Sequence, residues 1–325
     1  MTILITGGTG LIGNALARRL AGDGAAVRAL VRDPARARPL LPGCELVAGD
    51  ITAPATLAPA LAGARWVFHA AGMPEQWQAD PGVFDRVNHR GTVNVLEAAR
   101  AAGVARVVYT STMDVFAAAR GGTLVETAID PAPKPTAYER SKQAAEQAAE
   151  RIRASGLDVV YLNPSAVYGP SPVNVALNDF FIRLLNRKMP LVPPGGMSVA
   201  YIDGVVDAHL AAAERGGSGE RYLISDGYVS NRALATEIAR QVGLAKVPRD
   251  APAWLLRAVA TVSAPLARLL RFTPLIAPGQ LTFLMWQARV DSAKAERELG
   301  FAPTPLADGV ARTIAALRAA GLVPA

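Results

Sequence analysis

Cysteine is almost missing: Cys44 is the one thiol in 325 residues. A disulfide framework is therefore excluded, and a reducing compartment, the cytoplasm, is the expected setting. The three histidines, His69, His89 and His209, stand far apart and show no metal-ligand spacing, so no metal is expected. Lysine is scarce too, five against 29 arginines, and the positive residues are scattered singly despite a net charge of +7. A nucleic-acid partner calls for a basic patch on a recognisable fold motif, and neither is present. The Arg bias, with high Ala, Gly and Pro, fits genome composition. No long uninterrupted apolar run exists. The most apolar stretch, Ala253 to Phe272, is broken by Arg257, Pro265, Arg268 and Arg271 and is no transmembrane span. It reads as a membrane-surface helix, with arginines flanking a Leu/Val/Trp face, or, more in keeping with the pattern, as the roof of a cleft or plain core. Repeats and low-complexity segments are lacking as well. What is there is a chain 51% hydrophobic, enough for a substantial core in one large or two small domains.

The first strand, Ile3 to Thr6, runs into Gly7, Gly10 and Gly13, which open a helix with apolar positions at Leu11, Ile12, Ala15, Leu16 and Leu20. Glycine suits the sharp turn, the close approach of backbone to phosphate and the tight packing of helix on strand. The free N–H groups and the helix dipole then favour a pyrophosphate. With this strand–turn–helix context, and no leader segment before it, the loop predicts dinucleotide binding by Gly7, Thr9, Gly10, Leu11, Ile12 and Gly13.

A second strand, Ala26 to Val31, ends in Arg32-Asp33, with Arg36 and Arg38 following. An acidic residue here accepts from the adenosine ribose, whereas an arginine accommodates a 2′-phosphate. Arg32 comes first and its surroundings are positive, so Arg32 and Arg36 favour NADP(H) over NAD(H). The alternative is that Arg32 caps the strand in water and Asp33 takes the ribose. A third strand, Leu46 to Ile51, carries Asp50, which either accepts from the adenine amino group, beside Ile51, or caps the next helix. The strand Trp66 to His69 runs into Ala70, Ala71 and Gly72, small enough to admit a flat cofactor. His69 reads as a packed strand-end histidine. Asn88 to Thr92 starts a helix through Val95, Leu96 and Ala99. The strand Val107 to Tyr109 delivers Thr110-Ser111-Thr112 at its C-terminal end, where ligands of open α/β sheets bind.

Tyr138 and Lys142 are spaced Y-E-R-S-K, which in the first turn after Pro135 puts both on one helix face. A free Tyr titrates near ~10 and is a poor acid or base at neutral pH. A neighbouring ammonium favours its phenolate, and a drop of about two or three units makes it usable. Alone, the pair could be an ordinary surface contact; the glycine loop gives it weight.

Together these residues resemble the extended short-chain dehydrogenase/reductase family over nearly all of the chain. TGGTGLIG is similar to its nucleotide loop, STMDVF to its Ser/Thr motif, YERSK to its Tyr-Lys motif, and NPSAVYGP to the segment after the active site; YIDGVVDAHLAA and SAKAERELGFAP are also family-like. The resemblance implies that Tyr138 is the catalytic acid/base. Lys142 then binds the nicotinamide ribose and lowers the Tyr pKa, and Thr112 bonds the reacting oxygen. Asn88 takes the place of a structural or proton-relay asparagine. It further implies cofactor contacts from Asn163, Pro164 and Val167, and substrate contacts from Met113, Asp114, Tyr168 and Met197. The family's V-Y-G is Val115-Phe116-Ala117 here, a departure at the adjacent substrate contacts. A-L-V-R-D-P at 29–34 resembles the dihydroflavonol reductase and 3β-hydroxysteroid dehydrogenase branches, and the segment from Asn163 resembles hopanoid-associated sugar epimerases.

The alternation of strand and helix predicts an α/β fold: a Rossmann-type, doubly wound parallel sheet over 1–168, completed by about 199–226. A smaller substrate lobe would comprise 169–198 and 227–325, with the substrate cleft between. Three functions stand open. The first is an NADP(H)-dependent oxidoreductase interconverting carbonyl and alcohol on a hydrophobic small molecule. The second is an NAD-dependent nucleotide-sugar epimerase or dehydratase, against which the stretch Gly195 to Asp203 has no basic residue to grip a diphosphate, although Arg183, Arg187 and Lys188 stand nearby. The third, a non-catalytic cofactor-binding protein, fits poorly with Thr112, Tyr138 and Lys142 all retained. An apolar wall of Trp254, Leu255, Leu256, Phe272, Leu275, Ile276 and Phe283 to Trp286 favours an apolar substrate, unless these residues are only the core of the lobe. Alanine-rich faces at Ala98, Ala99, Ala102 and at Ala144, Ala145, Ala148, Ala149 point to a homodimer through paired helices, unless they only face the protein's own sheet.

Overall fold

The computed structural model describes residues 1–325 apart from 128, 174, 257, 260, 262–282 and 325. The short apolar runs seen in the sequence become strands buried on both faces. Ile3, Leu4 and Ile5 are at most 3% exposed, and Val107 to Tyr109 and Val159 to Leu162 are fully buried. Such runs suit a parallel sheet covered by helices on either side. Among the described residues that sheet has seven strands, in the order Arg221–Ile224, Val159–Pro164, Arg106–Thr110, Ala64–His69, Thr2–Thr6, Ala26–Val31, Glu45–Ala48. All of its neighbours pair in parallel. Alternate strand residues supply two cores. Ile3, Ile5, Val108 and Val160 face the helices Leu11–Gly22 and Ile202–Arg215, while Leu4, Val67, Val107 and Val159 face Gly91–Ala101 and Ala137–Ala154. The order reverses between the strands Thr2–Thr6 and Ala64–His69, so the crevice beyond their C-terminal ends is the expected ligand position.

Local sequence explains how the site-bearing helices begin. Thr136 and Glu139 form a reciprocal cap: the Glu139 N–H donates to Thr136 Oγ1 at 3.0 Å and the Thr136 N–H to Glu139 Oε2 at 2.9 Å. This fixes the first turn of Ala137–Ala154, in which Tyr138 and Lys142 sit. The helix expected from Asn88 begins earlier, as a π-helical turn over Asp85–Arg90 that runs into Gly91–Ala101. Wide turns of this kind often mark functional positions, and this one carries Asn88 inward, 1% exposed.

The sequence reading needs one correction in the second half. Val199 to Ile202 does not complete the parallel sheet. The strand Gly196–Tyr201 pairs with Gly227–Ser230 and Ala166–Tyr168 in a separate three-stranded sheet. Only the helix Ile202–Arg215 and the strand Arg221–Ile224 return to the large one. A strand's apolar pattern states that it is buried, not which sheet it joins. Arg289–Val290 pairs with Thr123–Leu124 and ties the later chain to the segment that follows the strand Arg106–Thr110. No helix among the described residues is long and apolar enough to cross a membrane. Phe272, Leu275, Ile276 and most of the 253–272 stretch lie outside the described residues; Trp254, at its start, is 70% exposed.

Candidate active site and nucleotide cleft

The glycine loop has the shape its sequence demands. Gly7 adopts φ +76°, and a Cβ there would stand 2.6 Å from the Ala70 carbonyl. A Cβ on Gly13 would lie 2.3 Å from Gly7 O, whereas one on Gly10 would meet only Gly7 O, at 3.3 Å. The outer side of Gly10 is therefore open, directly ahead of the helix Leu11–Gly22 that it caps without any side-chain bond. The first-turn N–H groups of Leu11, Ile12 and Gly13 have no partner within a helix, so the loop presents donors and a positive dipole end to an anion. The donor set and the side-chain-free cradle fit a dinucleotide's pyrophosphate. Asn14, which the sequence reading missed, holds the loop by donating to Gly8 O at 3.1 Å and Leu40 O at 2.8 Å. Ala70 and Ala71 border it, the Ala70 N–H donating to Thr6 O at 3.2 Å and the Ala71 N–H to Thr6 Oγ1 at 3.3 Å.

At the end of the second strand, Asp33 is engaged locally. Its Oδ1 accepts from Ala35 N at 3.0 Å and Arg36 N at 3.2 Å, and Oδ2 pairs with Arg36 at 3.4 Å. Arg32 is exposed and makes no ion pair among the described residues. Asp50 Oδ1 accepts from both the N–H and the hydroxyl of Thr52, each at 2.8 Å. This local turn resembles the capping alternative and leaves the other carboxylate oxygen uncommitted. Ile51 is buried beside it.

Thr112, Tyr138 and Lys142 come together beyond the strand Arg106–Thr110. Thr112 Oγ1 donates to Asp114 Oδ2 at 2.8 Å and accepts from the Asp114 N–H at 3.3 Å. Its backbone is held by Asn163, whose Nδ2 donates to Thr112 O at 3.1 Å and to Glu146 Oε1 at 2.6 Å. Glu146, fully buried, is in turn paired with Arg221 at 2.7 Å. Asn88 braces the next layer. Its Oδ1 accepts from Met73 N at 2.7 Å, and its Nδ2 donates to Met73 O at 3.0 Å and Ser141 Oγ at 3.1 Å.

The Tyr–Lys electrostatics differ from expectation. The Lys142 ammonium donates to Tyr109 Oη at 3.2 Å and Thr110 O at 3.0 Å, and lies 4.8 Å above the Tyr109 ring. Burial drives the Tyr138 phenol well above its ordinary value, and the Asp114 and Glu75 carboxylates add to this; a hydrogen bond with Thr112 works in the opposite direction. Lys142 itself is brought down to about 8 by burial, against the pull of Glu146 and Asp114. The expected lowering of the Tyr138 pKa is thus absent from this arrangement, because desolvation outweighs a cation that is aimed at Tyr109. Burial likewise lifts Asp114 to about 6, with Glu139 adding to the shift and Thr112, Lys134 and Lys142 opposing it. Glu75, whose carboxylate accepts from Thr136 Oγ1 at 3.1 Å, is raised to about 7 by burial and by Glu139 and Asp114. Neither Tyr109 nor Glu75 was singled out in the sequence. Tyr109 follows Val107 and Val108 in a buried strand and Glu75 stands in a loop without periodicity, so no local pattern marks them.

Three of the four expected substrate contacts lie in packed interiors. Tyr168, 1% exposed, stacks on Phe181 at 6.0 Å and meets Tyr201 edge-on at 5.5 Å. Met197 sits in the strand Gly196–Tyr201 within the same core, and Met113 packs with Phe116, Leu124, Ala288 and Trp286. Burial leaves these side chains little surface to offer a ligand, and an apolar pattern cannot tell cleft wall from core. Asp114 is buried beside Thr112 as described. Pro164 ends its strand, and Val167, half-buried, lies in the small sheet. His69, fully buried between Thr6 Oγ1 at 2.7 Å and Thr92 Oγ1 at 2.9 Å, is the packed histidine the sequence suggested, its pKa brought down to about 3 by burial. No group of His, Cys, Asp and Glu suited to a metal ion occurs among the described residues.

Comparison with known proteins agrees with this geometry. Residues 3–225 match the model of the NAD dependent epimerase/dehydratase family. The chain is 30% identical to sterol demethylase protein B of Methylococcus capsulatus, over 99% of this chain and 100% of that one. It is 31% identical to a 4-hydroxy-2-methyl-3-oxo-4-farnesyl-3,4-dihydroquinoline-1-oxide ketoreductase of Stigmatella aurantiaca, over 93% of this chain and 92% of the relative. The solved structure of MoeE5 in complex with UDP-glucose and NAD superposes with a TM-score of 0.76 at 25% identity, covering 98% of this chain and 99% of that one. Glycine cradle, strand-end threonine and Tyr–Lys helix thus stand in a chain that belongs to the NAD-dependent epimerase/dehydratase family of extended short-chain dehydrogenases/reductases, a family of NAD(P)-dependent oxidoreductases.

Proposed function

We propose that this protein interconverts a carbonyl and an alcohol on an apolar small molecule, with NADP(H) favoured over NAD(H). The observation that carries the reading is the convergence of Thr112, Tyr138 and Lys142 beside the glycine cradle, at the switch point of the sheet. Gly7 to Gly13 would hold the pyrophosphate, Arg32 and Arg36 a 2′-phosphate, Asp50 and Ile51 the adenine, and Lys142 with Asn163, Pro164 and Val167 the nicotinamide end. The bound nicotinamide supplies or takes up the hydride. In the direction of reduction, Tyr138 gives its phenolic proton to the oxygen that gains charge, and Thr112 positions that oxygen. A phenol held well above its ordinary pKa keeps its proton at neutral pH, as a proton donor must. Lys142, charged below about 8, stabilises the tyrosinate left behind if it swings from Tyr109 towards Tyr138. Asn88, tied to Ser141 one residue before Lys142, fixes that helix turn.

An apolar substrate is supported by the side chains of the later lobe, among them the half-buried Phe283, Leu284, Met285 and Trp286. The ketoreductase relative, whose name carries a farnesyl group, points the same way. The test is to follow NADPH consumption with aryl and long-chain ketones of one series. Each buried methylene contributes about 0.8 kcal/mol, so kcat/KM should climb with apolar size. Tyr138→Phe should lower kcat by several orders of magnitude while nucleotide affinity stays near that of the parent; activity within tenfold of the parent would sink the assignment. The second reading, a nucleotide-sugar epimerase or dehydratase, is favoured by the likeness to MoeE5 with its UDP-glucose and NAD. Turnover of a UDP- or dTDP-sugar together with indifference to ketone size would replace the first reading with this one.

A further inference from the structure

Asp114 lies in the catalytic cluster, beside Thr112, and the proposed reaction gives it no role. It is 8% exposed, and its Oδ1 is buried with no hydrogen-bond partner among the described residues. A carboxylate oxygen in that condition is costly when ionised and far less so when the group is neutral. Its other oxygen takes the single hydroxyl hydrogen of Thr112, at 2.8 Å. A threonine hydroxyl has one hydrogen to give and two lone pairs. While Asp114 is ionised, that hydrogen is committed to it, and Thr112 can only accept from a ligand. Once Asp114 carries a proton, the carboxyl O–H can donate to Thr112 Oγ1, and the Thr112 hydrogen is free to turn outward.

We infer that Asp114 is a positioning residue that sets the polarity of Thr112: neutral, it makes Thr112 a donor to the oxygen of a carbonyl being reduced, and ionised, it makes Thr112 an acceptor for the hydroxyl of an alcohol being oxidised. No covalent bond to carbon changes in this step. One proton moves on or off Asp114, and one hydrogen bond reverses. The catalytic consequence rests on the oxidoreductase reading; the coupling of the two side chains does not. The charges facing Asp114 come from several elements. Glu139, on the helix Ala137–Ala154, favours the neutral form, and Lys142 on that helix and Lys134 in the loop before it favour the ionised form. Glu75, in the loop after the strand Ala64–His69, is raised by Asp114, so the repulsion is mutual. The Tyr138 phenol is uncharged across the range in question. Burial with an orphaned oxygen tips the balance, and Asp114 titrates at about 6. Reduction is then favoured below that pH and oxidation above it.

The ligand-free test is a carbon-13 titration of aspartate side chains in the full chain. One carboxyl should titrate near 6, be absent from Asp114→Asn, and move upward in Thr112→Val, where its donor is lost. The kinetic test uses NADPH with phenylpropanedione for reduction and NADP with phenylethanol for oxidation. In the parent, reduction should fall about tenfold or more as pH rises through that value, and oxidation should rise. Asp114→Asn, whose amide cannot ionise and can turn either its NH2 or its carbonyl oxygen to Thr112 Oγ1, should lose that inflection in both directions. Glu75→Gln should keep the inflection close to its parental position, because Glu75, raised to about 7, is largely neutral when Asp114 ionises. An Asp114 carboxyl titrating at the ordinary value of about 4 overturns the inference even in an active reductase. So does a parental pH profile retained in Asp114→Asn. Failure of the oxidoreductase reading shows itself separately, as a parent that turns over no ketone or alcohol while the titration and its Thr112→Val shift remain.

Discussion

Gly13 and Gly10 belong to one motif, yet the structure assigns them different physical tasks, and replacing each by alanine separates these tasks. A Cβ at Gly13 would lie 2.3 Å from Gly7 O and 2.6 Å from Gly7 C. Carbon and oxygen do not approach that closely, and both partners are backbone, so the helix must move away from the strand by about half an ångström or more. Forced overpacking of this kind costs about 1–3 kcal/mol. In a domain of this size each kcal/mol lowers Tm by about 2–4 °C, so Gly13→Ala should melt about 3–10 °C below the parent. Because Gly7 is the obstruction, the phosphate loop is displaced and nucleotide affinity falls with it. At Gly10 the same methyl would meet only Gly7 O, at 3.3 Å, and the backbone there has φ −92°, ψ 178°, which any residue adopts. Loss of glycine at this uncapped helix start costs no more than about 1 kcal/mol, so Gly10→Ala should melt within about 3 °C of the parent. Its methyl would nevertheless project into the open space before the helix, where a pyrophosphate approaches, and affinity should drop about tenfold or more. Thermal denaturation together with NADPH fluorescence titration reads both quantities. If Gly13→Ala melts with the parent, or Gly10→Ala binds NADPH as the parent does, the division of labour argued here is wrong.

Lys142→Met should raise stability at pH 7 by about 1–3 kcal/mol while abolishing activity. The folded state holds the lysine near 8 instead of 10.5, a cost of about 1.4 kcal/mol per unit, partly offset by the bonds to Tyr109 and Thr110. Since the folded value is the lower one, the cost is in full force below about 8 and vanishes as pH climbs towards 10.5. Urea unfolding at pH 7 and pH 10 should show the advantage of the variant shrink, and an equal gap at both would contradict the argument. Arg32→Ala should narrow or reverse a preference for NADPH over NADH worth about 1.5–3 kcal/mol, whereas equal dissociation constants in the parent would remove the basis for NADP(H). The helices Gly91–Ala101 and Ala137–Ala154 lie side by side, with Val93, Glu97, Arg100, Ala148 and Arg151 along the groove between them. Pairing of this face with its twofold mate predicts a dimer by light scattering at micromolar concentration, and a monomer mass would refute it.

The parts of this protein that rest on neighbours in sequence were legible without coordinates. Glycines at 7, 10 and 13 after an apolar strand specify a phosphate loop, because the turn, the close approach and the helix start are all local. The Tyr138–Lys142 spacing specifies one helix face, in the first turn after Pro135. The alternating pattern up to Asn163 specifies a parallel α/β sheet. Partner choice was another matter. Val199 to Ile202 reads as a strand by its apolar residues, but only the fold sends the observed strand, Gly196–Tyr201, to the small sheet rather than the large one. Tyr168 and Met197 are as apolar as a cleft wall would be, and packing against Phe181 and its neighbours makes them core. Above all, the electrostatics of the site depend on groups far apart in sequence. Lys142 is turned to Tyr109, 33 residues away, and Glu75 meets Thr136 across 61. The pKa of a side chain is set by burial and by charges within a few ångströms, and those distances exist only once the chain has folded.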